Sequence, residues 1–251
     1  MADNGTNDAQ LYARRVTTGL DWEDLVLDAA TRAQIDMIAQ WVRHERQLLE
    51  EWKLARHLKP GWRAVFHGPP GTGKTLAACL LGKALGRHVY RIDLVPMPAL
   101  DALFVRAEKE NWILLVDGNA VARGRADSDQ AANQQIAYLL QRIEDYPGVV
   151  ILESNLAALL DEAFARRFQS TIRFAIPNAA ARLRLWQGAF GGAGFQLAGD
   201  IDLQRIARDH EVSGGDIVDV LRFAALRAAV SDTRTVKLDD IAEGLARRAK
   251  A

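Results

Sequence analysis

Two rhythms of apolar residues alternate along this chain. Short, nearly continuous apolar runs at Val65–His67, Val89–Ile92, Ile113–Asp117, Val149–Leu152 and Thr171–Phe174 predict five strands. Runs without polar alternation suit strands covered on both faces. Between and around them, apolar residues return every three or four positions, which predicts helices. The longest such stretch runs from Thr31 to His57, where Ile35, Ile38, Val42, Leu49 and Trp52 share a face, with Trp41 and Trp52 expected to pack. Lys59-Pro60-Gly61 ends it. After Ile176-Pro177-Asn178 the pattern is helical to the end, broken at Gly191-Gly192, Gly214-Gly215 and Ser231–Thr233. Strands alternating with helices predict a parallel sheet with helices on both faces. The expected organisation is a polar, loosely ordered segment over 1–19, an α/β core over 20–177 and a small helical domain over 178–251.

Composition narrows the classes of function. The chain has 251 residues, 49% hydrophobic and 25% charged, with 32 basic and 32 acidic side chains and zero formal net charge. Such a balance offers no global basic field for nucleic acid or an anionic membrane, and no DNA-reading motif accompanies it. Met1–Ala9 is polar and acidic rather than leader-like, and no apolar run reaches the roughly 18 residues of a membrane span. Cys79 is the single cysteine, so neither an internal disulfide nor a cysteine zinc cluster is expected, and its place in a helical run suggests packing. A cytoplasmic setting fits this cysteine usage.

The densest chemical signal is Gly68-Pro69-Pro70-Gly71-Thr72-Gly73-Lys74-Thr75, followed by Leu76, between a predicted strand and a predicted helix. Glycines let backbone N–H groups wrap closely around a phosphate, and the helix start adds the positive end of a dipole. In that context Lys74 is expected to reach the β- and γ-phosphates of ATP, and the Thr75 hydroxyl to hold Mg²⁺.

A second motif is Trp112-Ile113-Leu114-Leu115-Val116-Asp117, an apolar strand ending in a carboxylate that can complete a Mg²⁺ shell. The next residue is Gly118, which cannot act as a base. Val149–Asn155 is a strand ending in a polar amide, the place for Asn155 to sense a γ-phosphate. Glu153 lies two residues earlier and so shares a strand face with Asn155. It is either a partial replacement for a base missing at Gly118 or a solvated or cation-paired carboxylate. Further on, Arg166 and Arg167 form a guanidinium pair of the type that stabilises phosphoryl charge from a neighbouring subunit, or else a solvated surface pair.

Taken in order, Gly68–Thr75, Ile113–Asp117, Asn155 and Arg166/Arg167 resemble the Walker A, Walker B, sensor 1 and arginine-finger motifs of the AAA+ ATPases, AAA branch. The resemblance spans roughly Leu20 to Ala249. It implies a P-loop NTPase core with a five-stranded parallel sheet and a small C-terminal helical lid. Ser213-Gly214-Gly215-Asp216 looks like the lid segment over the nucleotide. It also implies ATP and Mg²⁺, a ring, usually a hexamer, of identical subunits or mixed with a related AAA+ subunit, and a protein substrate or assembly partner. The Leu20–Leu27 lead-in and the Tyr138–Glu144 helix look like ATPases of bacterial contractile injection systems and phage-tail-like particles.

The sequence departs from the family pattern in two places. Relatives usually carry Glu after the Walker B Asp, where this chain has Gly118. The interval Asp93–Leu100 is short, is stiffened by Pro96 and Pro98 and lacks an aromatic–hydrophobic–glycine pore loop. Met97 within it is expected to be buried, and Gly118–Arg125 looks shorter than a second pore loop. Two functions follow as alternatives: a slow ATPase that remodels or assembles a protein complex, or a nucleotide-binding scaffold that does not cycle.

Overall fold

A computed structural model describes residues 12–92, 97–121, 130–155, 166–191 and 194–248. The chain divides into two compact units. The first holds residues up to Asp21, Asp28–Gly68 and Lys74–Arg173. The second holds Trp22–Leu27, Pro69–Gly73 and everything from Phe174 onward.

In the first unit, strand β1 (Ala13–Val16) precedes helix α1 (Ala29–Arg46). Then follow β2 (Trp62–His67), α2 (Lys74–Leu85), β3 (Val89–Ile92), α3 (Met97–Lys109), β4 (Ile113–Asp117), α4 (Gln130–Asp145), β5 (Val149–Ser154) and β6 (Ser170–Arg173). All five predicted strands form, within three residues at either end. They lie in the order β3-β4-β5-β2-β6 and pair in parallel. β1 adds a sixth, antiparallel strand on the β3 edge, with Ala13 opposite Ile92 and Val16 opposite Val89. It falls inside the segment expected to be loose. Its sequence, Ala13-Arg14-Arg15-Val16, is too polar to announce a strand; the unpaired edge of β3 supplies the hydrogen bonds.

Both faces of the sheet are covered, which is why its strands read as continuous apolar runs. Leu100, Leu103 and Phe104 of α3 and Ile136, Leu139 and Ile143 of α4 pack on Val65, Leu114, Val116, Val150 and Leu152. Helices α1 and α2 cover the opposite face, where α1 meets β2 and β6 and α2 meets β3 and β5. Asp28 starts α1 by accepting the backbone N–H of Thr31 at 2.8 Å, and the Thr31 hydroxyl donates to the carbonyl of Arg173 at 3.1 Å, tying α1 to β6. The helical stretch expected to reach His57 instead loosens into a π-helical turn at Gln47–Glu51 and a 3-10 turn at Leu54–Arg56. Beyond Arg46 no apolar stripe is buried, and Trp52, expected to pack, is 62% exposed.

The second unit contains α5 (Ala179–Gly191), β7 (Gln196–Leu197), α6 (Leu203–Asp209), α7 (Gly214–Val230), β8 (Thr235–Val236) and α8 (Leu238–Arg248). Trp186, Phe190, Ile206, Ile217, Val220 and Ile241 form its core. The parallel pair β7–β8 was not legible, since two residues per strand leave no period to read. Gly214-Gly215, expected as a break, instead opens α7: Ser213 caps it, with Asp216 returning the bond in a capping box. Among the described residues, no helix is long and apolar enough to cross a membrane.

Candidate functional site

The turn from β2 into α2 is built by backbone conformation. Gly68, Gly71 and Gly73 have φ of 143°, 76° and 95°, a region closed to most side chains. Within the second unit, Gly71 is also the point of closest approach. Its carbonyl accepts the N–H of Gly215 at 2.9 Å, and a Cβ at 71 would lie 2.3 Å from Ser213 Oγ. A Cβ at Gly215 would lie 2.7 Å from the Gly71 Cα, so both positions must be bare. The Thr72 hydroxyl donates to the Pro69 carbonyl at 2.8 Å and closes the turn. The Gly71–Gly215 contact explains the glycine at 215, the second of the pair that opens α7.

Within the first unit, Lys74 begins α2 and donates from Nζ to the Gly68 carbonyl at 2.7 Å. Only 4% of the residue is exposed. Burial pushes its ammonium pKa below the ordinary lysine value, an effect the negative Glu153 partly offsets. Keeping a buried ammonium charged is costly, and the Gly68 carbonyl and the negative Glu153 offset part of that cost.

Thr75, one residue on, is tied on two sides. Its hydroxyl donates to Glu153 Oε1 at 2.6 Å and accepts from Arg91 Nη2 at 3.3 Å. The same guanidinium nitrogen lies 2.8 Å from Glu153 Oε2. The Glu153 carboxylate is thus paired with a cation. Arg91 gave no signal in the sequence: a single cation in Val-Tyr-Arg-Ile reads as the solvent side of a strand, and only the sheet order brings β3 within reach of β5 through β4.

Asp117 and Glu153 are cross-strand partners at the carboxyl ends of β4 and β5. Asp117 Oδ1 accepts the N–H groups of Asn119 at 2.9 Å and Ala120 at 3.4 Å, capping a helical turn. Gly118 is packed rather than open: a Cβ there would meet Leu152 Cδ2 at 2.6 Å and the Glu153 carbonyl at 2.9 Å. Asn119, also unsuspected, accepts from the Ser154 hydroxyl at 3.3 Å and from the Asn155 backbone N–H at 3.2 Å. Asn155 is exposed directly after β5.

Arg166 and Arg167 lie elsewhere. They line an open groove with Trp41, Lys59, Trp62 and Gln169, at the starting end of β2, whereas Gly68 follows its other end. Arg167 pairs with Glu144 at 2.6 Å. Met97, expected to be buried, is 37% exposed at the start of α3. The remainder of the expected pore-loop and finger segments, 93–96, 122–125 and 160–165, lies outside the described residues.

Within the first unit, the Lys74 ammonium at the start of α2 suits a phosphate. The site does not fit Mg²⁺ in the same way, because the Thr75 hydroxyl already serves Glu153 and Arg91. Among the described residues no cluster of His, Cys, Asp and Glu is built to hold a metal.

Comparison with known proteins agrees with this geometry. Residues 64–176 match the family described as ATPase family associated with various cellular activities (AAA). The chain is 29% identical over 85% of its length to the ATPase family gene 2 protein of Schizosaccharomyces pombe. It is 27% identical over 93% of its length to the ATP-dependent zinc metalloprotease FtsH 3 of Symbiobacterium thermophilum. It is 26% identical over 76% of its length to the proteasome-activating nucleotidase of Methanopyrus kandleri. The matches span 28%, 39% and 48% of those relatives, so the chain covers less than half of each. Residues 64–176 thus resemble the AAA ATPase family in sequence, and the mostly parallel sheet they contribute to is consistent with a P-loop NTPase fold.

Proposed function

We propose that this chain binds ATP through Gly68–Leu76 and couples slow hydrolysis to the remodelling or assembly of a protein complex. The observation that carries this reading is the Lys74 ammonium, buried at the start of α2. Such a cation is prepaid electrostatics for a polyphosphate. The proposed roles are phosphate grip by Gly68, Pro69, Pro70, Gly71, Thr72, Gly73 and Lys74, with Leu76 at the nucleotide edge. Asn155 orients water from the end of β5. Mg²⁺, which polarises phosphate oxygens when bound, would be held by Thr75 and Asp117, for which Thr75 must first give up its present partners.

Slow turnover follows from Gly118. Losing a positioned base costs on the order of 10²–10⁴-fold in rate, or about 3–5 kcal/mol of barrier. Glu153 could take a proton from water only after leaving Arg91. Arg166 and Arg167, at the opposite end of β2 from Lys74, can serve phosphate only as fingers supplied in trans, which supports a ring. The proposed ring is a homo-oligomer, a hexamer by resemblance, or a hetero-ring with a related subunit. Its proposed partners are proteins rather than membrane or nucleic acid, in the cytoplasm. The likeness of Leu20–Leu27 and Tyr138–Glu144 to contractile-particle ATPases favours an assembly role.

A second reading is a nucleotide-dependent scaffold that does not hydrolyse. Two observations favour it: Gly118 is packed against Leu152, and Glu153 is engaged by Arg91. The test is oligomer mass and phosphate release measured together in ATP and Mg²⁺. Turnover lost in Arg166→Ala or Arg167→Ala supports the ATPase. Tight binding with no release above the Lys74→Ala background supports the scaffold, and no binding of ATP at all defeats both.

A further inference from the structure

We propose that Arg91 supplies the positive charge beside Thr75 that nucleotide binding requires, so that ATP binds this chain without a divalent cation. The inference rests on the nucleotide-binding reading above and concerns how the same site is charged.

The side chains around Thr75 are saturated in a particular way. A hydroxyl has one proton and two lone pairs. The proton of Thr75 goes to Glu153 Oε1 at 2.6 Å, and one lone pair takes an N–H of Arg91 at 3.3 Å. A metal ion on the remaining lone pair would sit against the guanidinium already bound to that oxygen. Two cations on one hydroxyl repel, so Arg91 and a divalent ion compete for Thr75.

The guanidinium is the better-prepared occupant. Glu153 Oε2 fixes it at 2.8 Å, and the Glu153 side chain is only 14% exposed. β3 is an interior strand, flanked by β1 and β4, and holds Arg91 opposite Leu115. A guanidinium held in place loses little freedom when it meets phosphate, which it can engage through two parallel N–H groups. Asp117, the other residue expected to hold a metal, is occupied as well: its Oδ1 caps the turn at Asn119 and Ala120.

The experiment is calorimetric titration of ATP into the full chain, in EDTA and in Mg²⁺, for the parent, Arg91→Met and Arg91→Lys. The parent affinity in EDTA is expected to lie within about three-fold of that in Mg²⁺. Arg91→Met is expected to bind more than about ten-fold more weakly in EDTA and to recover with Mg²⁺, while Arg91→Lys, which keeps the charge, retains metal-free binding. A parent that binds in Mg²⁺ but loses ten-fold or more in EDTA overturns the proposal and leaves nucleotide binding intact. So does an Arg91→Met protein indistinguishable from the parent in EDTA. Absence of binding under both conditions removes the nucleotide reading and this proposal together. Should Arg91→Met fail to fold, the parent titrations alone decide.

Discussion

The glycine turn before α2 and the strand ends of β4 and β5, both assigned to nucleotide in the proposed function, are built differently. The turn is made of backbone: positive φ at three glycines and a lysine folded back onto the Gly68 carbonyl. The strand ends are made of side chains: Asp117 caps its own turn, Glu153 holds Arg91 and Thr75, and Asn119 bridges to Ser154 and Asn155. A backbone site tolerates almost no substitution, because its residue types are set by steric limits. A side-chain site can exchange partners while its strands stay in place. Here the turn keeps its pattern, and the strand ends have Gly118 where a base is usual, with a guanidinium from β3 beside them.

Substitutions can test this contrast, from the largest expected effect to the smallest. Lys74→Ala should weaken ATP affinity on the order of 10²-fold in calorimetry, since it removes the buried charge behind the turn. An unchanged affinity would make the turn a structural feature only. Gly71→Ala should cost about 2–4 kcal/mol in denaturant unfolding, from a side chain at φ 76° placed 2.3 Å from Ser213 Oγ. A cost below about 0.5 kcal/mol would show that backbone shape does not dictate this position. Gly118→Glu, which restores the usual residue, should not raise phosphate release, and should lower stability by about 1–3 kcal/mol through the contacts with Leu152 and the Glu153 carbonyl. A gain in turnover would reduce the difference between the two regions to one residue.

Glu153→Gln should lower stability by about 1 kcal/mol through loss of the charge-assisted bond to Arg91, with phosphate release within about two-fold of the parent. A collapse of turnover would support Glu153 as a base. The smallest effect concerns His67, the last residue of β2. Burial lowers its pKa below the ordinary 6.5, with the cations Arg173 and Lys74 adding to the shift. The unfolded chain therefore takes up this proton first as pH falls. Stability present above pH 6.5 is lost as pH drops through the lowered value. Unfolding at pH 7 and pH 5 should give a larger fall for the parent than for His67→Gln, and equal falls would discount His67.

The amino-acid sequence by itself determined the five parallel strands, the order of helices between them and the residues of the glycine turn. It could do so because burial on both faces forces unbroken apolar runs, and because close backbone approach forces glycine. Only the tertiary structure decided what lay outside any local period: β1 on the edge of β3, the two-residue strands β7 and β8, and Gly215 of α7 bare against Gly71. It also decided the partner of Glu153. Arg91 is 62 residues away along the chain, and only the hydrogen-bonded order β3-β4-β5 brings its guanidinium to that carboxylate.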